Sequence, residues 1–506
     1  DEATINKIVA ANTGTAVQNF DLVSYIYQNP LRGIKIIVAG MSVLFLGYFL
    51  ALNYNRRKQR KYFMRLAYVD TLTGLNNQNY MEANSEKLCH QAQKNRCAFA
   101  VFDVAGFKMI NEAYGYEYGD EILQCIAHCF SQQLKEAEGE AFMRIDSDRF
   151  AALMHYNTVP ELERRIEYEF DHVCSELAQN KIQDDKPVRF SCGIYLLTGQ
   201  EQRITVAFDY ADIARKALKN AGKRGICFFE EAMLIRLHRE RDIESAMEKA
   251  LAAGEFVPYF QPKVNMETGT TYGAEILVRW IRGADFTVYP DEFIPLFERN
   301  GFITKLDYYM FEQACICMRK WIDEGVFTGV VSVNISRIHL RNNTFVEGLA
   351  LLADRYRIPH EMLELELTES AFFADRQQLI NSMVKVKKAG FRIAVDDFGA
   401  GYSSLNILRQ MPLDVLKIDK DFLEEGSGND QRGNVIVSSV IEMAKRLDID
   451  VICEGVETPD QADFLVKNGC VHGQGYLYAR PMCAETFEAF VATETHSRQP
   501  QLTPTS

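Results

Sequence analysis

Two acidic residues follow an apolar strand pattern in the part of the chain that most restricts its fold. Residues 393–405 read Ile-Ala-Val-Asp-Asp-Phe-Gly-Ala-Gly-Tyr-Ser-Ser-Leu, so Asp396 and Asp397 come directly before a glycine-broken loop. Adjacent carboxylates at a strand end repel each other, and a cation bound beside them relieves the repulsion. Taken alone, this stretch also fits a helix N-cap followed by a solvated acid. The surrounding sequence favours the cation site.

Other short apolar runs in the second half of the chain also carry a polar side chain near their ends. They occupy residues 273–277, 331–336, 363–369, 415–419 and 451–457. Helical patterns at 379–388 and 435–447 fall between several of these runs. Strand–helix alternation of this kind is typical of an α/β barrel, whose chemistry lies at the C-terminal ends of the strands. The sequence therefore predicts such a barrel, with its polar groups gathered at one end.

Composition limits the classes of protein that the chain can represent. With 506 residues it is long enough for two or three domains. Its net charge of −13 argues against nonspecific binding of duplex nucleic acid, because that binding needs basic surface to neutralise phosphates. The 12 cysteines form no repeated CxxC pairs, so we expect reduced thiols in a cytosolic compartment rather than a zinc ribbon or a disulfide framework.

An apolar segment without charged side chains spans residues 36–52. It is just long enough to cross a bilayer when its flanking residues lie at the interface, and a buried core helix is the alternative. Basic residues cluster on its C-terminal side, at Arg56, Arg57, Lys58, Arg60, Lys61 and Arg65. By the positive-inside rule this side is cytoplasmic. We predict a membrane helix over 34–54, a basic juxtamembrane helix over 55–66 and an extracytoplasmic remnant over 1–33.

Residues 238–495, which contain the apolar runs, resemble the EAL domain, a TIM-barrel-like (β/α)8 phosphodiesterase of cyclic di-GMP. The signature triplet reads Glu275-Ile276-Leu277, so its middle residue differs while its glutamate is kept. Two divalent cations suit phosphodiester hydrolysis at neutral pH, and hard ions such as Mg²⁺ or Mn²⁺ take oxygen ligands. The resemblance implies that both ions are held by Glu275, Asn334, Glu366, Asp396, Asp397 and Glu454.

The same resemblance implies roles in catalysis. Asp396 and Asp397 serve the two ions. Glu454 completes one ion site, and Glu275, Asn334 and Glu366 complete the other. Glu275, Glu454 and Lys417 form the catalytic group. Lys417 would orient or deprotonate the attacking water, a role open to a lysine whose pKa is lowered by burial near cations.

Further residues are implied to contact the substrate or to support a loop. The implied substrate residues are Gln261, Arg279, Asp419, Glu457 and Gln474. Glu369 is implied to hold the loop after Asp397 in place. A salt bridge to Asp419 is the alternative role for Lys417.

Residues 67–230 resemble a second family, the GGDEF domain, a diguanylate cyclase module with a ferredoxin/cyclase-like α+β fold. Residues 70–77 match its opening sequence, and Asp103 lies at the end of an apolar strand pattern. The resemblance implies that Asp103 binds a metal ion. It implies GTP binding through Asp103, Asn111, Asp120, Asp148, Lys219 and Lys223.

The signature loop of this second domain departs from its family. Where the family has Gly-Gly-Asp/Glu-Glu-Phe, residues 146–150 read Asp-Ser-Asp-Arg-Phe. The two glycines let the backbone approach a triphosphate, whereas Asp146 and Ser147 add side chains and a negative charge beside that anion. Arg149 replaces an acid, while Asp148 can still ligate a metal. We therefore predict a domain that binds GTP without cyclising it, and a simple spacer domain is the alternative.

These features predict a membrane-anchored phosphodiesterase that converts cyclic di-GMP to linear pGpG, with the altered GGDEF domain as a GTP-binding regulator. The resemblance implies a homodimer in the bacterial inner membrane, crossing it once, with both domains in the cytoplasm. The alternative is a noncatalytic receptor that binds cyclic di-GMP and signals across the membrane. The altered loop disfavours residual cyclase activity. Residues 496–506 are rich in Thr, Ser, Pro and Gln and are expected to be disordered.

Overall fold

The computed structural model describes residue 3 and residues 30–92, 96–134, 139–179, 188–283, 286–342, 344–368, 376–398, 411–424 and 431–496. The chain divides into two compact units, Asp1–Arg236 and Leu237–Ser506. Three predictions lie wholly or mostly outside the described residues. They are the extracytoplasmic remnant at 1–33, the supporting role of Glu369 and the disordered tail at 496–506.

The first unit begins with a long helix, α1 (Pro30–Tyr68), which carries the predicted membrane segment and the basic segment without a break. Its apolar side chains, such as Leu44 and Phe45, are exposed. Within the described ranges, this is the one helix that is long and apolar enough to cross a membrane. By length and composition, α1 is therefore a candidate for the predicted N-terminal membrane helix.

A mixed sheet forms the centre of the first unit. Its strands are β1 (Asn76–Asn77), β2 (Cys97–Val104), β3 (Ala141–Asp146), β4 (Arg149–His155), β5 (Phe190–Leu196) and β6 (Gly225–Phe228). Among the described residues the strand order is β1-β3-β4-β2-β5-β6, and β2 is antiparallel to both neighbours. Its helices are α2 (Gln78–Ala83), α3 (Ser85–Ala92), α4 (Phe107–Tyr114), α5 (Tyr116–Gln133), α6 (Val159–Gln179) and α7 (Ile204–Asn220). The predicted α+β fold is confirmed.

Strand β2 is buried along its whole length because helices cover both faces of the sheet. On one face the ring of Phe102 lies 4.9 Å from that of Phe130 and 5.6 Å from that of Phe150, between centroids. On the other face Phe99 packs against Phe208 of α7, with 6.4 Å between the ring centroids. This packing places Asp103, which follows Phe102 on β2, in a buried position beneath α7.

The second unit is a barrel closed by eight strands of the described chain. Its strands are β7 (Phe256–Asn265), β8 (Thr270–Arg282), β10 (Val330–Asn334), β11 (Leu363–Thr368), β12 (Arg392–Phe398), β13 (Val415–Ile418), β14 (Asp450–Cys453) and β15 (His472–Gly473), with the short strands β9 (Phe286–Val288) and β16 (Met482–Cys483) at its margins. Pairing runs in sequence order from β10 to β15, and the β7–β8 pair completes the ring. The predicted barrel is confirmed.

One strand of this ring runs against the others. β7 is antiparallel to both β8 and β15, whereas the remaining neighbours in the ring are parallel. The cause is local, because residues 266–269 join β7 directly to β8, and so short a connection can only link antiparallel strands. The barrel is thus TIM-like with one reversed strand, and this reversal places Gln261 opposite Glu275 in the strand register.

Helices enclose the barrel and bury its outer face. They are α8 (Glu231–Ala253), α9 (Pro290–Asn300), α10 (Ile303–Glu324), α11 (Phe345–Arg355), α12 (Arg376–Lys388), α13 (Asp421–Glu424), α14 (Gln431–Arg446), α15 (Pro459–Lys467) and α16 (Ala484–His496). The main apolar core lies between these helices and the strands, around side chains such as Trp321 and Phe311. A separate small apolar cluster contains Ala394, Val415 and Ile452. Most buried charged groups of this unit belong to the barrel strands.

Candidate active site

Side chains from neighbouring strands meet inside the barrel. In a strand, alternate side chains face the same side of the sheet, so regular strands can direct Glu275 of β8 and Glu366 of β11 inward together. Asn334 of β10 lies beside Glu366 in the strand register. Its amide Nδ2 donates a hydrogen bond to Glu275 Oε1 over 2.8 Å. The barrel therefore brings together three of the predicted metal residues.

Lys417 of β13 lies at the centre of this group. Its Nζ lies 2.5 Å from Glu454, 2.7 Å from Glu366, 2.9 Å from Asp396 and 3.2 Å from Glu275, measured to carboxylate oxygens. The lysine side chain is 0% exposed. A buried ammonium without partners is strongly destabilising, so the four carboxylates are what allows Lys417 to occupy this position.

The sequence analysis expected a lowered pKa for Lys417, and the structure shows the opposite. Burial does act to lower it, but Asp396, Glu275, Glu366 and Glu454 outweigh burial and raise the pKa well above its ordinary value. Among these acids the Lys417 ammonium is a positive charge that holds four carboxylates together.

The carboxylates form two overlapping groups with the spacing of metal ligands. Glu275, Glu366 and Asp396 make one group, and Asp396, Asp397 and Glu454 make the other. Within each group the ligand atoms lie within 4.8 Å of one another. When ionised, these five carboxylates exceed the charge of Lys417 by four, the amount that two divalent cations carry. The oxygen donors and the charge thus fit two hard ions such as Mg²⁺ or Mn²⁺.

A bulge in β12 allows two adjacent acids to serve one site. In a regular strand Asp396 and Asp397 would face opposite sides of the sheet. Here the register with β13 shifts between Val395 and Phe398, and Asp397 has a φ of +54°, in the left-handed region that non-glycine residues rarely adopt. The departure from the extended conformation brings both carboxylates to the second metal group, at the cost of local backbone strain.

Asp397 and Glu366 have very different pKa values because their surroundings in the barrel differ. Burial, followed by the charges of Asp396 and Asp419, raises the pKa of Asp397 to about 7. Burial would also raise the pKa of Glu366, but Lys263 and Lys417 outweigh it and lower that pKa to about 2. Glu366 is therefore already neutralised by lysines. The pKa values of Asp397, Glu454 and Glu275 are all raised, first by burial, so these three acids need added positive charge to ionise.

Two predicted substrate residues are buried beside the carboxylates. Gln474 Nε2 donates hydrogen bonds to Glu275 Oε2 over 2.7 Å and to Gln261 Oε1 over 3.0 Å. Gln261 Nε2 donates in turn to the backbone oxygen of Ala479 over 3.3 Å. These contacts fix the orientation of both amides and tie them to Glu275.

The other predicted substrate residues lie in different surroundings. Asp419 shares a hydrogen bond with Asp397 and so belongs to the carboxylate group. Arg279 lies on the same strand as Glu275, with its guanidinium carbon 5.6 Å from the ring centroid of Tyr259. Glu457 is exposed and lies just before α15.

Sequence analysis missed a chain of ion pairs that continues below the site. Lys263 Nζ lies 2.8 Å from Glu364 and 2.8 Å from Glu366, and Arg392 Nε lies 3.2 Å from Glu364. Lys263 and Glu364 are both buried. Opposite charges therefore alternate from Arg392 through the barrel to Lys417.

A signal for these residues was present in the sequence. Lys263 lies two residues from Gln261, and Glu364 lies two residues from Glu366, so strand alternation places each beside a predicted site residue on the same face. The sequence did not show that Lys263 and Glu364 contact each other, because they are far apart in the chain. Only the closed barrel makes them neighbours.

Three of the six predicted GTP residues come together in the first unit. Lys219 Nζ lies 2.7 Å from Asp103 Oδ2. Asp148, in the turn between β3 and β4, accepts a hydrogen bond from the backbone N–H of Val104 over 3.2 Å. Burial and then the charge of Asp103 raise the pKa of Asp148. The two acids that could ligate a metal, Asp103 and Asp148, thus share a corner of the sheet with Lys219.

The remaining three lie on or beside helices. Asn111 of α4 packs against Gly119 of α5, where an added Cβ would lie 2.0 Å from Asn111 Oδ1. Asp120, the next residue on α5, is exposed, and so is Lys223 after α7. The close approach of α4 and α5 at Gly119 keeps Asn111 and Asp120 near each other.

Two arginines in the first unit bind the acids around this corner. Arg215, which sequence analysis missed, is buried and contacts Asp103, and Arg149 lies 3.3 Å from Asp212. Arg215 and Lys219 are four residues apart on α7 and so share a helix face, and this spacing was the sequence signal that could have identified Arg215.

In the altered signature loop Ser147 has a φ of +42°. That turn still needs a conformation that glycine adopts most readily.

Family models match both domains of the chain. The EAL domain matches residues 244–481, and the diguanylate cyclase, GGDEF domain matches residues 67–225. Among solved structures, the chain is 32% identical to "PaMucR Phosphodiesterase, c-di-GMP complex", over 49% of this chain and 99% of that one, with a TM-score of 0.46.

Two curated relatives come from Pseudomonas aeruginosa. The chain is 29% identical to the bifunctional diguanylate cyclase/cyclic di-GMP phosphodiesterase MucR, over 95% of this chain and 72% of that protein. It is also 29% identical to the cyclic di-GMP phosphodiesterase NbdA, over 87% of this chain and 56% of that protein. The chain thus spans between about half and three quarters of these relatives.

We predict that replacing Lys263 destabilises the barrel. Lys263→Met leaves Glu364 and Glu366 buried without that ammonium, which should cost about 3–5 kcal/mol. The double variant Lys263→Met/Glu364→Gln removes one charge of each sign and should recover part of the loss. Urea unfolding followed by tryptophan fluorescence measures this unit, since both tryptophans, Trp280 and Trp321, lie in it.

The exposed hairpin residue Glu267 provides the control for this measurement. Glu267→Gln should change the free energy of unfolding by no more than about 0.5 kcal/mol. A Lys263→Met protein as stable as the wild type would show that the ion pairs are dispensable.

Proposed function

Because the chain belongs to the EAL domain family over residues 244–481 and to the GGDEF domain family over residues 67–225, we propose that it is a phosphodiesterase that hydrolyses cyclic di-GMP to linear pGpG. The observation that carries the proposal is the group of five largely buried carboxylates at ligand spacing, four of which contact Lys417. So much buried negative charge is unfavourable unless cations balance it. The names of MucR and NbdA as cyclic di-GMP phosphodiesterases agree with this substrate.

We assign the carboxylates to two divalent cations. Glu275, Glu366 and Asp396 would hold one ion with Asn334, and Asp396 would share the other with Asp397 and Glu454. When bound, such a pair of ions lowers the pKa of the attacking water and balances the charge that develops on the phosphate.

The side chains around the ions have distinct tasks in this proposal. Lys417 keeps Glu366 and Glu454 at ligand spacing, and its fixed charge lies where the phosphate gains negative charge. Gln474 orients Glu275 through its 2.7 Å hydrogen bond. Gln261 accepts from Gln474 and donates to the backbone oxygen of Ala479, which leaves the second N–H of its amide to contact a bound nucleotide. Preorganised polar groups of this kind lose no orientation energy when the reaction occurs.

We predict that Glu275→Ala and Asp396→Ala each abolish hydrolysis of cyclic di-GMP. Each removes a carboxylate from the metal groups and leaves Lys417 with fewer partners, so the loss of turnover should be on the order of a thousandfold or more. The assay separates cyclic di-GMP, pGpG and GMP after incubation with Mg²⁺ or Mn²⁺. Glu267→Ala, on the exposed hairpin, should retain wild-type turnover.

Either variant at wild-type activity would contradict the two-ion assignment. A wild-type chain that binds cyclic di-GMP without cleaving it would instead be a receptor.

For the first domain, we propose GTP binding without cyclisation, coupled to the activity of the barrel. The grouping of Asp103, Asp148 and Lys219 and the placement of Asn111 beside Asp120 support a nucleotide site. The substituted signature loop, with its strained turn at Ser147, opposes the close approach to a triphosphate that cyclisation requires.

We predict that GTP binds the full chain and raises its phosphodiesterase activity. Coupling of about 1–3 kcal/mol would raise activity by roughly 5- to 150-fold if GTP favours the active arrangement. Calorimetry gives the binding, and hydrolysis with and without GTP gives the coupling. Asn111→Ala should remove both effects, whereas Lys108→Ala, exposed on the same helix, should remove neither.

Absence of binding at millimolar GTP would make the domain a spacer. Binding with unchanged turnover would refute the regulatory part.

We propose that α1 crosses the bacterial inner membrane once, with both domains on the cytoplasmic side. Its apolar segment has exposed side chains, and the basic cluster from Arg56 to Arg65 follows it on the same continuous helix.

Labelling with a membrane-impermeant thiol reagent tests this orientation. We expect Ser24→Cys to react in intact cells and Lys58→Cys to react only after the cells are permeabilised, because the basic cluster is retained inside. The native cysteines begin at Cys89, so both new thiols precede them. The reverse pattern of reactivity would overturn the orientation.

A further inference from the structure

The acid that the GGDEF resemblance assigns to a metal ion already has two cationic partners. Asp103 is 2% exposed, and its Oδ2 contacts Arg215 Nη1 and lies 2.7 Å from Lys219 Nζ. We propose that Arg215 takes the place of the divalent cation at Asp103, so that the GGDEF domain of this chain holds no metal ion.

Arg215 is built into the domain rather than folded over its surface. The residue is 5% exposed. Its Nε and Nη2 atoms donate hydrogen bonds to Asp212 Oδ1 over 2.9 and 2.6 Å, while Nη1 faces Asp103. A guanidinium is planar and donates in a fixed fork, so contacts to two acids on different elements hold it in one orientation.

Backbone packing explains why this side chain reaches Asp103. Gly193 of β5 has no room for a side chain, since an added Cβ would lie 2.0 Å from the oxygen of Ala211 and 2.3 Å from the nitrogen of Arg215. Helix α7 therefore lies directly on β5, the neighbour of β2. Asp103 is paired with Ser191 of β5 in the register, within reach of a side chain leaving α7 at Arg215.

The altered signature loop takes part in the same network. Arg149 contacts Asp146 and lies 3.3 Å from Asp212, which Lys216 also approaches to 2.8 Å. Four acids, Asp103, Asp146, Asp148 and Asp212, are thus matched by four cations, Arg149, Arg215, Lys216 and Lys219. A divalent ion would add charge that no acid of the network balances. In the barrel, five carboxylates at ligand spacing are contacted by only two ammonium groups, those of Lys417 and Lys263, so negative charge is in excess.

The oxygens left over do not make a ligand set. Asp103 Oδ1 is buried with no hydrogen-bond partner among the described residues, and Asp148 Oδ2 accepts from the backbone N–H of Val104. Mg²⁺ requires close to octahedral oxygen coordination, whereas Oδ2 of Asp103 is already engaged by the cations of Arg215 and Lys219. Any nucleotide in this domain is then bound without an ion at Asp103.

Counting bound Mn²⁺ per full-length chain tests the proposal. Equilibrium dialysis read by electron paramagnetic resonance gives the count in detergent solution. Asp103→Asn should bind as many ions as the wild type. Arg215→Leu should bind one more ion, because it removes one of the two cations on Asp103 and leaves the network with one more acid than cations. Arg215→Lys keeps the charge and should gain none, and Arg215→Leu/Asp103→Asn should return to the wild-type count.

Two results would overturn it. A count one lower in Asp103→Asn would mean that Asp103 binds an ion in the wild type. An unchanged count in Arg215→Leu would mean that Arg215 does not stand in for one. The ion count of Asp103→Asn alone shows whether Asp103 binds an ion in the wild type, even if Arg215→Leu fails to fold. Ions in the barrel contribute equally to every variant. If the proposed barrel site did not bind ions, the number of Mn²⁺ ions per chain would fall equally in the wild type and in all variants, and the differences between them would not change.

Discussion

The second unit depends on the contact between one buried ammonium and the carboxylates that surround it. Lys417 is fully buried, and four acids from different strands approach its Nζ to between 2.5 and 3.2 Å. Neither the lysine nor the acids would be tolerated in the barrel interior alone, because an unpaired buried charge is strongly destabilising. The fold brings them together by closing the ring of strands, and the reversed strand β7 adds Gln261 and Lys263 to the same interior.

Charge balance separates the two polar clusters of this chain. The barrel cluster retains an excess of negative charge, which suits it to divalent cations and to an anionic phosphodiester whose charge they offset. The cluster at Asp103 is balanced internally by Arg215, Lys219 and their neighbours. On this account the chain keeps metal chemistry in the barrel and has replaced it with fixed ion pairs in the GGDEF domain, which leaves the GGDEF domain free to act as a regulator.

Much of this arrangement could be predicted from the sequence, and the limits have physical causes. Apolar runs ending in acids predicted the barrel, and the strands lie where those runs occur. Sequence did not show the φ of +54° at Asp397, because a bulge depends on pairing between β12 and β13. It also did not show that Arg215 pairs with Asp103, since the contact joins elements far apart in the chain. The expected pKa of Lys417 had the wrong direction, because the number of carboxylates around it emerges only from the closed barrel.

The central claim is that the carboxylates around Lys417 form a two-ion centre. Anomalous diffraction from crystals grown with Mn²⁺ tests it most directly. The account predicts two anomalous peaks about 3.5–4 Å apart. One peak should lie among Glu275, Glu366 and Asp396, and the other among Asp396, Asp397 and Glu454. Crystals with no peak in the barrel, and with Lys417 still in contact with all four acids, would contradict it.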